Sequence, residues 1–162
     1  MKIYIACALT HVPRHIFQSY ADEIHTLAQA LYNHGHHVKY AFKDSDPQLA
    51  QYKEDQRARL CYKWDRNMVE ECDLVIAEAS FPSIGLGIEL QIAESLSIPI
   101  ILSFNENLNR SKPISYKNPD QISHDLQIGQ GYISLMALGL PNIIEVIKYE
   151  TMGDILDRLP EL

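Results

Sequence analysis

The chain reads as a single α/β domain with helices on both faces of a five-stranded, mainly parallel sheet. Three observations predict this. Five short apolar or β-branched runs, at residues 2–8, 37–42, 73–79, 98–104 and 143–149, alternate with stretches of helical periodicity. The run at 98–104 is apolar except for Ser103, the pattern of a strand buried on both faces of a parallel sheet. A length of 162 residues suits one domain, 1–162, with a substantial core. Alternation of this kind implies right-handed crossovers and a doubly wound, Rossmann-like or flavodoxin-like order. Ligands of such sheets sit beyond the carboxyl ends of the strands, so the loops after Ile5, Ala79 and Phe104 are expected on one rim.

Each element has its own signal. After the first strand and a polar turn, Ile16, Tyr20, Ile24, Leu27 and Leu31 recur on one helical face, and Gly35 is placed to close that helix. Val38, Tyr40 and Phe42 mark the second strand. From Asp46 to Glu71 the chain is highly charged, with Leu49, Leu60, Trp64 and Met68 forming a narrow apolar stripe on helical segments. A helix is expected from Gly87 to Leu96. The stretch from about Asn105 to Gln130 reads as loop with one turn of helix, long enough to suggest a functional segment. Residues 131–138 are expected to be helical, and a closing helix from Thr151 to Leu159 takes Thr151 as its N-cap.

Composition narrows the partners. Hydrophobic residues at 46% and charged residues at 22% are ordinary for a globular protein. A net charge of −7 works against binding a nucleic-acid polymer, whose backbone demands clustered Lys and Arg. A small nucleotide is compatible with it, because backbone N–H groups build a local anion site whatever the global charge. Cys7, Cys61 and Cys72 have no metal-type spacing and read as reduced thiols. No apolar run is long enough to span a bilayer, and Met1-Lys2 leads directly into a strand, so a cytoplasmic location is expected. Of the seven histidines, His34, His36 and His37 flank a helix end, where capping explains them better than ligation; no metal is expected. His11 stands apart, in a loop that should border the site.

The richest stretch runs from Cys72 to Leu90: a buried strand, a polar glycine-containing loop with Pro82-Ser83-Ile84-Gly85-Leu86-Gly87, then Glu89 in what reads as the first turn of a helix. The paired glycines do not make a dinucleotide fingerprint, because the third glycine is missing and no strand-tip acid follows ~20 residues on.

The segment Val75 to Leu90 resembles the signature of the nucleoside deoxyribosyltransferase superfamily, and most closely its deoxynucleoside monophosphate N-hydrolase branch. That resemblance implies a nucleophilic Glu89 and a phosphate-binding Ser83, with Gly85 and Gly87 completing the cradle. Ile3-Tyr4-Ile5 resembles the first strand with its nucleophile-orienting Tyr4, and Lys63-Trp64-Asp65-Arg66-Asn67 the segment carrying the sugar-binding Asp65. Ile133 to Gly139 resembles the segment whose serine, here Ser134, reaches the phosphate in a partner subunit's site. The family's glycine-rich first loop is replaced here by Cys7-Ala8-Leu9-Thr10-His11-Val12.

The resemblance implies an enzyme that cleaves the base–sugar bond of a (deoxy)nucleoside or its 5'-monophosphate, without cofactor, as a homodimer or higher homo-oligomer. Glu89 attacks the anomeric carbon, Tyr4 fixes one of its oxygens, and Asp65 carries the proton, two carboxyls in one pocket being expected to part in pKa. Two readings stand beside it: transfer of the sugar to another base, as a deoxyribosyltransferase, and a nucleotide-binding sensor without turnover. Cytokinin-activating phosphoribohydrolases and TIR domains also use a glutamate, but their local patterns are absent around Glu89.

Overall fold

The computed structural model describes residues 1–108 and 112–159. In chain order the elements are β1 (Lys2–Cys7), α1 (Phe17–Asn33), β2 (His37–Tyr40), α2 (Ala41–Asp44), α3 (Asp46–Leu49), α4 (Glu54–Glu70), β3 (Leu74–Glu78) and α5 (Ile84–Ser95). There follow β4 (Ile100–Asn105), β5 (Ser115–Lys117), β6 (Ser123–Asp125), α6 (Leu135–Leu138), β7 (Ile143–Tyr149) and α7 (Met152–Leu156). Five strands form one sheet in the order β2-β1-β3-β4-β7, every neighbouring pair parallel. This is the doubly wound α/β fold expected, with the flavodoxin-like order. Its topological switch lies between β1 and β3, where the crevice for a ligand opens.

Strand alternation divides the interior in two. Ile3, Ile5, Leu74 and Ile76 point to one face, where Tyr20, Ile24, Leu27 and Leu31 of α1 and Met152 and Ile155 of α7 pack. Tyr4, Ala6, Val75 and Ala77 point to the other, against Met68 and Val69 of α4 and Leu86, Leu90 and Ala93 of α5. The first helix ends as expected at Gly35, whose φ of +87° is the left-handed conformation that spares glycine a Cβ clash. The Gly35 N–H donates to the Tyr32 carbonyl and the His36 N–H to that of Leu31, which satisfies the helix end. Thr151 caps α7, with Asp154 accepting from the Thr151 N–H at 2.8 Å.

Five expectations are corrected. The second strand stops at Tyr40, not Phe42, because the Asp44 carboxylate accepts from the Tyr40 N–H and turns the chain into α2, which sends Phe42 under α1 against Phe17. The fifth helix begins at Ile84 rather than Gly87, since Ser83 already caps it by accepting from the Leu86 N–H. Between Asn105 and Gln130 the chain forms a short 3₁₀ turn at Glu106–Leu108 and an antiparallel hairpin of β5 and β6; residues 109–111 lie outside the described residues. The helix expected at 131–138 shrinks to Leu135–Leu138. Gly131 takes φ +57° in a turn closed by mutual Gln130–Ile133 pairing, and a Cβ there would stand 2.7 Å from the Phe104 ring. The closing helix is regular only to Leu156 and ends in a turn at Leu159.

Candidate active site

A cavity of about 370 Å³ opens at the carboxyl ends of β1 and β2 and runs to the start of α5. It is lined by Cys7, Thr10 and His11 at the end of β1 and just after it, Ala41, Ser45 and Asp46 after β2, Cys61 and Asp65 of α4, and Ser83, Gly85 and Glu89 at the start of α5. Cys7 and Ser45 come from the end of β1 and the segment after β2, which parallel strands deliver to one edge of the sheet, and Asp65 and Glu89 reach the cavity from within α4 and α5.

Glu89 is buried at 9% exposure. Tyr4, from the β1 face turned toward α5, donates its hydroxyl to Glu89 Oε1 at 2.8 Å, and Glu89 Oε2 is buried without a partner. Because α5 starts at Ile84, Glu89 stands in its second turn and not its first. The free N–H groups of the helix start are therefore out of its reach, and Tyr4 is the donor that holds it. Burial drives the Glu89 carboxyl up to about 7, the Tyr4 bond opposes this, and the charge of Asp65 adds to it. The Tyr4 hydroxyl itself is driven well above the usual phenol range, first by burial and then by Glu89, so it remains a donor.

Asp65 faces the same cavity from α4. Its Oδ2 accepts from the Cys61 thiol at 3.2 Å, while Oδ1 is buried without a partner. Ser45, 1% exposed, likewise has an unpartnered hydroxyl in the wall. Three polar atoms without partners in one cavity are unusual for a native interior, where such groups cost about 1–3 kcal/mol each. They are what a polar ligand would satisfy.

The remaining candidates fall into two groups. Ser83, Gly85 and His11 line the cavity. Ser83 spends a lone pair on the Leu86 N–H, which leaves its proton free for an anion. Gly85 and Gly87 are helical and have ordinary φ, so left-handed geometry is not their reason; a Cβ on Gly87 would meet nothing within 4 Å, and what remains is open approach to the helix start. Gly87 is exposed outside the lining residues, and Ser134 is exposed as the N-cap of α6, outside this chain's cavity. Cys61 and Ser45 were missed by sequence reasoning. The four-residue spacing of Cys61 and Asp65 on one helix face was a readable signal for the first; nothing local marked Ser45.

A neighbouring cavity of about 400 Å³, lined by Lys39, Asp44, Gln48, Tyr52, Trp64 and Glu71 among others, is slightly larger. There Asp44 accepts from the Tyr40 N–H and Glu71 pairs with Lys39 at 3.0 Å, and neither carboxylate has an oxygen that is buried without a partner. Among the described residues no group of three His, Cys, Asp or Glu side chains is placed to hold a metal, and no helix is long and apolar enough to cross a membrane. His34 caps α1 through Nδ1 to the Ala30 carbonyl at 2.7 Å.

No protein-family model matches the chain. A 44-residue stretch, 27% of the chain, is 43% identical to a Syntrophotalea carbinolica protein named "Putative 2'-deoxynucleoside 5'-phosphate N-hydrolase 1"; the match spans 31% of that protein's length. Over 98% of the chain the fold is similar to that of the CMP N-glycosidase BcmB of Clostridium botulinum, with a TM-score of 0.59, 21% identity and 97% of that chain covered. A conserved protein from Enterococcus faecalis V583 is similar at the same TM-score, 18% identity and 98% coverage of both chains. These structures share the fold over the whole chain, and the 44-residue stretch is similar to a protein named as an N-hydrolase.

Proposed function

We propose that the protein is an N-glycosidase that releases the base from a nucleoside 5'-monophosphate or nucleoside through a covalent glycosyl-Glu89 intermediate. One observation carries this reading: a buried carboxylate with one oxygen held by Tyr4 and the other unpartnered, beside a second half-held carboxylate, Asp65, in a cavity of nucleotide size. Oε2 of Glu89 bonds to the anomeric carbon as the carbon–nitrogen bond breaks, and the electron pair leaves with the base. Asp65, having first taken up a proton from solvent, gives that proton to the departing base. Water then attacks the anomeric carbon, the ester to Glu89 breaks, and Asp65 recovers a proton from that water. Ionised Glu89 is the reactive form, so its carboxyl near 7 sets the acid limb of the pH–rate profile.

Ser83, the open helix start at Gly85 and Gly87, and His11 suit the phosphate. Ser134 completes that site from a second copy of the chain. Supporting this, Ile84 and Ile88 are exposed one turn apart on α5, and Leu135 and Met136 are exposed directly after Ser134, apolar surface that a homodimer would cover.

The test is a screen of the common nucleosides and their monophosphates for liberated base, repeated with a second free base present. Base release without exchange supports hydrolysis. A swapped nucleoside assigns the intermediate to sugar transfer, and tight binding without product makes the protein a sensor.

A further inference from the structure

We infer that Cys61 is a positioning residue for Asp65: its thiol holds one carboxylate oxygen so that the other is presented to the ligand, the service Tyr4 performs for Glu89. The two pairs are built alike. Tyr4 donates to Glu89 Oε1 at 2.8 Å and leaves Oε2 buried and unpartnered; Cys61 donates to Asp65 Oδ2 at 3.2 Å and leaves Oδ1 buried and unpartnered. Cys61, Asp65 and Glu89 all line the one cavity. Cys61 sits one helical turn before Asp65 on α4, a spacing that superposes their side chains on one face.

The chemistry suits a thiol. Burial first, then the Asp65 charge, push the Cys61 thiol up to about 12, so it stays protonated and keeps an S–H to donate. A thiol is a weak donor, which orients a carboxylate without gripping it as a charged donor would. Arg or Lys in its place would lock Asp65 as the anion and oppose proton carriage. A carboxylate that both gives and recovers a proton needs a light hold. The free, buried Asp65 Oδ1 then becomes the atom that meets the ligand.

The catalytic consequence rests on the base release proposed above; the positioning does not, and the two are tested apart. In the full-length protein, Cys61→Ala is expected to lower kcat for base release roughly tenfold with KM within about twofold, the size of one hydrogen bond to a charged group. Cys61→Ser, which restores a donor, is expected to recover most of that loss. Parental kcat in Cys61→Ala, or equal impairment in both variants, would overturn the catalytic role. Independently of turnover, the infrared S–H stretching band that disappears in Cys61→Ser is expected to shift toward the frequency of a free thiol in Asp65→Ala. An unmoved band would overturn the positioning itself, even if base is released; a shifted band with no base release by the parent would leave the positioning standing and sink only the reading of function.

Discussion

Two buried glutamates stand on opposite sides of the sheet and are treated in opposite ways. Glu78, at the end of β3 under α1, is fully buried and receives donors on both oxygens: Tyr20 at 2.6 Å on Oε2, and Tyr149 at 2.8 Å, the Ser80 N–H at 3.0 Å and the Ser80 hydroxyl on Oε1. The network is closed further by the Asn105 N–H donating to Ser80 Oγ and the Ala8 N–H to Tyr20. Glu89 has one donor and an idle oxygen. Burial raises both carboxyls, but only around Glu78 do several hydrogen bonds work against it. Glu78 ties the ends of β1, β3, β4 and β7 to α1 and has nothing left over for a ligand. Glu89 is left incomplete, and incompleteness in a cavity is what chemistry requires.

Four experiments break or sharpen the contrast. The largest effect is expected for Glu89→Ala, with kcat for base release down by about 10³-fold or more while the circular dichroism spectrum stays that of the parent; parental base release would remove Glu89 from the chemistry. Next, Glu78→Ala strands four donors and is expected to cost on the order of 3–5 kcal/mol in chemical denaturation. A loss under about 1 kcal/mol would deny Glu78 its structural role.

Third, Glu89→Gln is expected to stabilise the protein at pH 8 by on the order of 2–3 kcal/mol. The sign follows from the raised carboxyl. Between its ordinary 4.5 and about 7 the folded state binds more protons than the unfolded, so stability falls as pH rises, and Gln does not suffer that fall. Thermal unfolding at pH 4 and pH 8 should show the difference at pH 8 alone. Last and smallest, Tyr4→Phe is expected to lower kcat/KM roughly tenfold. It removes the bond that holds the Glu89 carboxyl down, so the rise of kcat/KM with pH should move to higher pH; a profile left in place would mean that Tyr4 packs without orienting.

The contrast also shows what a sequence reveals. Strands of the main sheet were legible because each is a short run dominated by apolar or β-branched residues, and the loop before Glu89 because its glycines and Ser83 are local. The start of α5 was not, since Ser83 was read as a ligand group before it was read as a cap. The hairpin at 115–125 escaped notice because its strands are three polar residues long. Glu78 was invisible for a different reason. Its four donors come from residues 20, 80 and 149, a closure that exists only after α1 and β7 have packed. Asp65 could be nominated, but its weak tether to Cys61 became meaningful only when Oδ1 proved to be buried and idle.

The pairing of β1 with β3 has a practical consequence for anyone who edits this chain. Tyr4 lies opposite Val75 and Cys7 opposite Glu78, so the residue that serves Glu89 and the strand end that borders Glu78 share a single alignment. Insertion of one residue between Ile3 and Tyr4 would turn Tyr4 and every later β1 side chain to the opposite face of the sheet. Such an insertion would take Tyr4 from Glu89 and Cys7 from beside Glu78 together, whereas additions ahead of the exposed Met1 should pass unnoticed.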